Sequence, residues 1–406
     1  MNVITDENRI KDLLTRYIEN VFPSKEKAIE ILKSGKRLVF YLGIDPTGPD
    51  MHLGNATNLF VLKKLISLGH RVIFLIGDFT AKVGDPTGKE SVRKSLSDKE
   101  IKTNMKSYVG QTEKILPKGS FDVEYNSKWH KKFGFNEIID LTSKFTVQQM
   151  IAREMFQERI KKDKPIYIHE FLYPIMQGYD SVAMEVDGEV GGNDQTFNML
   201  IGRDLVKDYL EKEKLVIATR LLVDPKTNKK IMNKSGGSYI AISDSSDDMF
   251  GKIMAMPDTS IIPLFENATE LPDFKVEEVK QALDKGGNPK ILKEELGYEI
   301  VKMYHGEEEA EKAKKHFAKS FGLKSVSLAD IPSEMFQKFY VTGAQSTTQV
   351  LVGSGIAASK TEAKKLINQG AITRNDKKVE SWDDKSSPGD VLKKGSHKFL
   401  KIEEKK

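Results

Sequence analysis

The stretch Val39–Asn58, VFYLGIDPTGPDMHLGNATN, decides the fold of this 406-residue chain. It opens with an apolar run rich in β-branched and aromatic residues, which is typical of a buried strand. Turn residues follow at 45–49, and a helical pattern of leucines begins after His52. A strand, a glycine- and proline-rich loop and a helix start form an anion site, because free N–H groups and the helix dipole point at the loop.

The chain around this stretch continues the strand-loop-helix rhythm. A second predicted strand, Val72–Ile76, leads into a glycine-rich loop that reaches Lys89, and a further strand is predicted at Leu215–Ala218. This pattern indicates an α/β domain with a parallel sheet that binds ligands at the carboxyl ends of its strands. Residues 1–35 are predicted to be helical, with Ile10 and Ile18 on one apolar face.

Residues 120–165 interrupt the rhythm with a short predicted strand and two amphipathic helical patterns. An insertion between the two halves of a nucleotide-binding sheet fits this interruption. Its apolar residues suit either a dimer face or packing on their own domain, and the pattern favours neither.

The sequence predicts three domains. Residues 1–240 form a Rossmann-like catalytic domain with the insertion at about 120–165. Residues 246–325 are helical and highly charged without strand signals, and residues 346–406 form a small basic α+β domain.

Composition restricts the class of protein. There are no cysteines, which excludes disulfides and thiolate chemistry and fits a cytoplasmic protein. No apolar run reaches the ~18 residues of a membrane span, and the N-terminus lacks the pattern of a secretory signal. Residues 346–406 hold 13 of the 64 basic and 8 of the 59 acidic residues, so the whole net charge of +5 lies there. That distribution indicates a polyanion partner for the C-terminal domain.

A polar stripe lies on a predicted helix at His169–Asp180. Tyr173, Gln177 and Asp180 recur at i, i+4 and i+7, which places them on one face. Apolar residues flank this stripe on both sides, so we expect it to line a cavity.

Several motifs, in this order, resemble those of bacterial-type tyrosyl-tRNA synthetases, which are class I aminoacyl-tRNA synthetases. They are YLGIDPT from Tyr41, HLGN from His52, GDPTGK from Gly84, LYPIMQGYDS from Leu172, GGNDQ from Gly191 and IMNKS from Ile231. HLGN resembles the HIGH signature of the class, and IMNKS its KMSKS signature. A lone HxGN is more often a structural histidine at a helix start, but the ordered set outweighs that interpretation.

The resemblance implies a tyrosine-binding site. In such a site Tyr41 and Asp180 bind the phenol of the substrate. Its ammonium group is held by Asp85, Tyr173 and Gln177, with Gln195 and Asp45 nearby.

The resemblance also implies ATP as a substrate, accompanied by Mg²⁺. The ATP-binding residues are Gly43, Asp45, Gly54, Asn55, Gly192, Asp194 and Lys234. Those that act on the phosphates are Thr47, His52, Lys89, Arg93 and Lys234. No metal ligands of the protein itself are implied. Four positions depart from the family pattern. Ile231 and Asn233 stand where KMSKS has its first lysine and its middle serine. Asn55 replaces the last histidine of HIGH, and Leu42 gives no polar side chain where some members have one.

The C-terminal sequence from Val352 to Ile372 resembles a small RNA-binding domain found in a ribosomal protein and in some RNA-modifying enzymes. Lys360, Lys364, Lys365 and Arg374 are its expected RNA-binding residues, although a charged helix of this kind can also be merely solvated. Together the resemblances imply activation of L-tyrosine and its transfer to tRNA(Tyr). They also imply anticodon binding by the helical domain and a homodimer.

Three rivals remain. The HxGN site also suits another ATP-dependent nucleotidyltransferase. The basic C-terminal domain and the set of tyrosine-site residues argue against that alternative. Ile231 makes a weakly active synthetase paralogue that binds RNA conceivable. Tryptophan specificity is the third, and the combination of Tyr41 with Asp180 disfavours it.

Overall fold

A computed structural model describes residues 2–87, 96–232, 239–322, 336–394 and 398–405 of the chain. These residues form two compact units. The first contains residues 2–245 together with Lys252–Gly306, and the second contains Ser246–Gly251 and the chain from Glu307 onward.

The first unit is built on a six-stranded sheet in the order β1-β6-β5-β2-β3-β4. The strands are β1 (Ile18–Phe22), β2 (Val39–Ile44), β3 (Arg71–Ile76), β4 (Asp122–Tyr125), β5 (Gly188–Gly192) and β6 (Leu215–Thr219). All neighbouring pairs are parallel except β1 with β6, which is antiparallel. The register sets Tyr41 of β2 beside Glu189 of β5. The predicted parallel α/β sheet is therefore confirmed.

The helices of the first unit follow the strands and cover the sheet. They are α1 (Glu7–Leu13), α2 (Lys25–Lys33), α3 (Leu53–Ser67), α4 (Thr80–Val83), α5 (Asp98–Asn104), α6 (Tyr108–Thr112), α7 (Ser127–His130), α8 (Phe135–Ser143), α9 (Val147–Ile151), α10 (Glu154–Lys161), α11 (Ile168–Ala183) and α12 (Thr196–Leu210). After α13 (Ser246–Met254) come α14 (Ile261–Ala268), α15 (Asp273–Asp284) and α16 (Pro289–His305). Helix α14 packs on α3, where Thr57 Oγ1 donates to the carbonyl oxygen of Asn267 at 2.8 Å.

The prediction that residues 1–35 are helical throughout is wrong at Ile18. The chain leaves α1 at Leu14, and Tyr17 adopts a left-handed backbone conformation with φ of 69°. Such a residue ends a helix, since L side chains tolerate this region poorly. The next five residues form β1, and Ile18 pairs with Thr219 at the edge of the sheet.

The C-terminal part of the second unit is α+β, as predicted. Its elements are α17 (Glu307–Gly322), β7 (Phe336–Val341), β8 (Gln345–Ser346), α18 (Thr347–Gly353), α19 (Lys360–Asn368), β9 (Ile372–Arg374), β10 (Lys377–Lys378), β11 (Lys385–Ser386), β12 (Val391–Lys394) and β13 (Lys398–Glu404). Five strands form a sheet in the order β10-β9-β12-β13-β7, and β11 pairs with β8. Buried residues from α18, α19 and this sheet make its own core, including Leu351, Ile367 and Leu400.

No helix in the described ranges combines the length and the apolar character that crossing a membrane requires.

Candidate active site

Tyr41 lies at the centre of the first unit, fully buried on β2. Its hydroxyl is 2.9 Å from Ser181 Oγ and 3.4 Å from the carbonyl oxygen of Gln177, both on α11. Burial raises the pKa of Tyr41 well above its ordinary value, and the charges of Glu189 and Asp180 add to this effect. Tyr41 therefore stays protonated and keeps a hydrogen that it can donate.

Asp180, also on α11, is a buried carboxylate held by three donors. Oδ1 accepts from Trp129 Nε1 at 2.8 Å and from His130 Nε2 at 2.7 Å, and Oδ2 accepts from Asn126 Nδ2 at 3.2 Å. Burial raises the pKa of Asp180, while His130 and the other donors counteract that rise. Because Oδ1 carries two donors and Oδ2 only one, Oδ2 has more capacity to accept from a ligand.

A second carboxylate, Asp45, stands where the chain leaves β2. Oδ1 accepts from Thr80 Oγ1 at 2.7 Å, and Oδ2 accepts from Tyr173 Oη at 2.9 Å. Removal from water raises the pKa of Asp45 to about 7, although both hydroxyls oppose the shift. Gly77 makes room for this carboxylate, because a Cβ there would lie 2.1 Å from Asp45 Oδ1.

The two carboxylate centres are joined by one side chain. Asn126 Nδ2 donates to Thr80 Oγ1 at 2.9 Å as well as to Asp180 Oδ2. Asp45, Thr80, Asn126 and Asp180 therefore form a continuous chain of hydrogen bonds across the end of the sheet.

A further network brings together the remaining residues predicted for the tyrosine site. Gln195 Nε2 donates to Asp85 Oδ2 at 2.8 Å. Asn198 Nδ2 donates to the side-chain oxygens of Gln195 and Gln177, at 3.0 and 2.9 Å. Gln177 Nε2 then donates to Glu189 Oε1 at 3.0 Å. All six residues predicted for the tyrosine site thus take part in these hydrogen-bond networks.

The loop between β2 and α3 carries the residues predicted to meet phosphate. The backbone N–H of Thr47 donates to the carbonyl oxygen of Asp45 at 2.8 Å. His52 caps the start of α3, where its own N–H donates to Asn55 Oδ1 at 3.0 Å. A Cβ at Gly54 would lie 3.1 Å from the His52 ring, so glycine leaves the imidazole its place. These contacts do not link the loop directly to Tyr41 or Asp180.

The residues expected near the ribose lie at the ends of β2 and β5. Gly43 is exposed near the end of β2, and Gly192 ends β5. Asp194 Oδ2 accepts from Lys230 Nζ at 2.6 Å. Ile231, which stands at the first lysine of the KMSKS pattern, is buried and thus faces away from water. Lys89, Arg93 and Lys234 lie outside the described residues.

A cleft of about 620 Å³ opens beside Asp194. Arg153 lines it, and its guanidinium donates to Thr87 Oγ1 at 2.7 Å and stacks 4.7 Å above the Phe197 ring. Sequence reasoning did not single out Arg153, because it lies in the segment interpreted only as an insertion.

Sequence reasoning also missed the side chains that hydrogen-bond to the candidate site residues or to their partners. They are Thr80, Asn126, Trp129, His130, Ser181, Glu189, Asn198 and Lys214. Glu189 and Lys214 carried a detectable signal, since each is a charge within or beside an otherwise apolar strand. The others carry no pattern that distinguishes them.

In the second unit the predicted RNA-binding residues divide into two groups. Lys360 and Lys365 are exposed on α19. Lys364 Nζ lies 3.6 Å above the Trp382 ring, and the Arg374 guanidinium donates to the carbonyl oxygen of Lys385. The second pair therefore also contributes to the fold of this unit.

Comparison with known families assigns the class. The family model described as tRNA synthetases class I (W and Y) matches residues 33–322, and the chain belongs to this family. A second model, for the C-terminal domain of tyrosine–tRNA ligases of the SYY-like type, matches residues 327–400.

The individual relatives narrow the class. A tyrosine–tRNA ligase of Carboxydothermus hydrogenoformans is 40% identical over 410 residues and covers 98% of each chain. Tyrosine–tRNA ligase 2 of Clostridium acetobutylicum is 41% identical over 382 residues, covering 93% of each. The fold also matches a C-terminally truncated mitochondrial tyrosyl-tRNA synthetase of Aspergillus nidulans, with a TM-score of 0.63 at 22% identity over 77% of this chain and 93% of that one. The resemblance inferred from the motifs is confirmed.

Proposed function

We propose that this chain is a tyrosine–tRNA ligase, which activates L-tyrosine with ATP and transfers it to the 3′ end of tRNA(Tyr). The observation that carries the proposal is the pairing of a buried hydroxyl, Tyr41, with a buried and triply held carboxylate, Asp180. One group that can donate and one that can accept suit a phenol, which needs both. Phenylalanine would leave both unpaired in a buried site, which is costly.

The ammonium group of the substrate goes to the polar side of the same pocket. Asp45 and Asp85 supply negative charge there, and Tyr173, Gln177 and Gln195 supply oriented dipoles. Two carboxylates favour a cation beside them electrostatically. Because hydrogen bonds already orient these side chains, they need little reorganisation when the ammonium group binds.

ATP binds along the β2–α3 loop in this proposal. Thr47, His52, Gly54 and Asn55 face its phosphates, together with Lys89, Arg93 and Lys234. The ribose lies by Gly43, Gly192 and Asp194. Mg²⁺ comes with ATP as part of the substrate, since this ion binds through phosphates with few protein ligands.

The first reaction needs no general base. The tyrosine carboxylate is already ionised and attacks the α-phosphorus of ATP, and pyrophosphate leaves. The chain contributes positioning of the two substrates and positive charge toward the leaving group. In the second reaction a hydroxyl of the 3′-terminal ribose attacks the carbonyl carbon of the adenylate, and AMP leaves.

Three further parts of the proposal concern partners and location. The basic C-terminal domain and the helical domain bind tRNA, the latter at the anticodon. The protein acts as a homodimer in the cytoplasm, and the absence of cysteine from its sequence suits that compartment.

Tyrosine-dependent exchange of pyrophosphate into ATP tests the proposal. We expect exchange with tyrosine and far less with phenylalanine or tryptophan. Tyr41→Phe and Asp180→Asn each lose one partner of the phenol, and the preference for tyrosine over phenylalanine in kcat/KM should fall about tenfold or more. Exchange that depends on tryptophan, or no exchange with any amino acid, would contradict the proposal. Thermal unfolding of each variant shows that the fold is intact.

A further inference from the structure

Lys214 is the one fully buried lysine among the described residues, and its Nζ lies 5.8 Å from the centroid of the Tyr41 ring. Its Nζ contacts three oxygens: Glu189 Oε2, Ser181 Oγ at 2.7 Å and the carbonyl oxygen of Met199 at 3.2 Å. The fold makes space for it, since a Cβ at Gly202 would lie 2.5 Å from this nitrogen.

The three contacts match the three N–H donors of an ammonium group at Lys214. A carboxylate and a carbonyl oxygen can only accept, so two N–H groups point at them. A third N–H remains in an ammonium group and points at Ser181 Oγ, so three donors meet three oxygens. Burial lowers the pKa of Lys214, but the Glu189 carboxylate opposes that shift. We therefore treat the two residues as a buried ion pair.

This arrangement gives the next hydrogen bonds a direction. Ser181 Oγ accepts from Lys214, and its own hydrogen can go to the Tyr41 oxygen 2.9 Å away, although either oxygen of that pair can donate. In that direction Tyr41 accepts from Ser181 and places its own hydrogen elsewhere. The carbonyl oxygen of Gln177 is 3.4 Å away, long for an O–H donor. Glu189 also interacts with the Tyr41 hydroxyl, but each of its oxygens already accepts one donor, from Lys214 and from Gln177, which compete with Tyr41.

We propose that Lys214 determines tyrosine specificity by setting the direction of the chain Lys214→Ser181→Tyr41→substrate phenol oxygen. Tyr41 then presents a hydrogen to the substrate oxygen, and the hydrogen of the phenol goes to Asp180. Lys214 touches no substrate and is a positioning residue. The inference rests on the proposed function, in which Tyr41 and Asp180 bind the phenol.

Without Lys214, Ser181 and Tyr41 can exchange roles. Ser181 can then accept from Tyr41, and the Tyr41 oxygen would meet the substrate as an acceptor. The substrate hydroxyl has one hydrogen, which Tyr41 and Asp180 would then both need. One of the two buried groups would be left unpaired.

The test uses paired variants of the full chain, since removing one partner of a buried ion pair leaves an uncompensated charge. Lys214→Met with Glu189→Gln removes both charges, keeps the volume, and retains an amide oxygen for Gln177. Ser181→Ala breaks the same chain one step later and leaves Lys214 with Glu189. We expect each of them to lower the tyrosine-over-phenylalanine ratio of kcat/KM about fivefold to tenfold, with the KM for ATP unchanged.

Non-additivity separates this role from a merely structural one. In the Tyr41→Phe background, neither the Lys214→Met/Glu189→Gln pair nor Ser181→Ala should reduce the ratio further, because all of them act through the Tyr41 hydroxyl. If Tyr41→Phe lowers the ratio but Ser181→Ala and the paired variant do not, the inference is overturned while the proposed function stands. A ratio unaffected by Tyr41→Phe would instead remove the proposed phenol site. Should the paired variant fail to fold, Ser181→Ala still decides the question.

Discussion

His130 lies next to Asp180, and its surroundings decide which of its ring nitrogens can donate a hydrogen bond. It is buried among the rings of Phe79, Trp129, Phe133 and Tyr179, and its Nε2 lies 2.7 Å from Asp180 Oδ1. Its Nδ1 is buried without a partner in the described ranges. Nε2 is therefore the ring nitrogen that faces an acceptor and can donate to Asp180.

Replacing His130 tests whether this donor keeps Asp180 ready to accept. His130→Leu removes the N–H and should lower kcat/KM for tyrosine about tenfold, because a hydrogen bond to a charged acceptor is lost. His130→Gln keeps a donor of similar reach and should retain most of the activity. Steady-state pyrophosphate exchange measures both. Equal losses in the two variants would indicate that the ring matters for packing and not as a donor.

Asp45 gives the site a pH dependence. With a pKa of about 7, against an ordinary value of 3.8, this carboxyl is mostly ionised at pH 8 and mostly protonated at pH 6. We expect tyrosine binding to weaken by up to about tenfold over that interval, because the ammonium group loses a negative partner. Equilibrium binding of tyrosine between pH 6 and 8 measures this. Asp45→Asn should bind more weakly at pH 8 and show a flatter profile, and an identical profile would exclude Asp45 as its source.

The raised pKa of Asp45 changes the free energy of unfolding with pH in the opposite direction from a carboxylate in an ordinary salt bridge. The folded chain holds the Asp45 proton more tightly than the unfolded chain between pH 3.8 and about 7. Through this group, stability therefore falls as the pH rises across that window, and it is lowest once Asp45 is ionised.

A local pattern in the sequence relates three of the candidate site residues. Tyr173, Gln177 and Asp180 lie on α11 at a spacing that places them on one face, and their role in binding tyrosine stays a prediction. Lys214, Ser181 and Tyr41 meet from three separate elements. No local period relates them, so only the packed fold shows that they form one chain of hydrogen bonds.

At the scale of elements, β1 shows where local pattern misleads. Its residues continue the apolar period of α1, yet the positive φ of Tyr17 turns the chain into the edge of the sheet. The pairing with β6 lies 200 residues away in sequence, which a local period cannot anticipate. By contrast, β2 and β3 were predictable because both faces of a parallel strand are apolar.

Two helices of the insertion and the start of α11 carry exposed apolar side chains. For the apolar residues of the insertion the sequence left two interpretations, a dimer face or packing on their own domain. Phe135 and Ile139 of α8, Val147 of α9 and Ile168 of α11 are large apolar side chains exposed by 77, 54, 63 and 81%. Large apolar side chains exposed in this way are typical of an interface. They suit a dimer face, which stays a prediction, whereas Leu141 and Met150 on α8 and α9 pack inward.

Charges placed on this surface should separate the subunits. We expect Phe135→Glu with Ile168→Glu to shift the protein from dimer to monomer in sedimentation velocity, because a carboxylate is costly to bury without a partner. The control pair, Phe274→Glu with Ile291→Glu, changes two apolar residues on other helices that are exposed by 62 and 61%. This pair should leave the dimer intact. A dimer that survives the first pair would place the interface elsewhere, and a monomeric unchanged protein would remove the homodimer from the proposal.

At the scale of the whole molecule, the part of the chain that carries the net positive charge also has its own hydrophobic core. The C-terminal residues that hold all the net charge pack around their own buried cluster, which includes Val341, Leu351 and Leu400. Strand β7 pairs with β13 and so belongs to this module, although it precedes the boundary predicted at residue 346. A clean truncation therefore removes Phe336 onward, because a cut at residue 346 would leave β7 without its partner.

Removing the chain from Phe336 onward should affect amino acid activation and tRNA aminoacylation differently. Every residue proposed to bind tyrosine or ATP precedes this point, so pyrophosphate exchange should change less than about threefold. Aminoacylation of tRNA should fall at least tenfold, because the basic surface supplies phosphate contacts. Steady-state assays of both reactions on one preparation compare the losses directly. Equal charging of tRNA by the truncated and full chains would mean that the module is only a solvated charged domain.

Point variants locate the contacts within the module. Lys360→Ala with Lys365→Ala removes two exposed charges without disturbing the Lys364–Trp382 stack or Arg374. Each lost phosphate contact should reduce the slope of log affinity against log salt by about one. Lys25→Ala with Lys36→Ala removes the same charge from exposed positions of the first unit and serves as the control. If both pairs flatten the salt dependence of tRNA binding equally, net charge alone is responsible, and α19 does not contact the RNA.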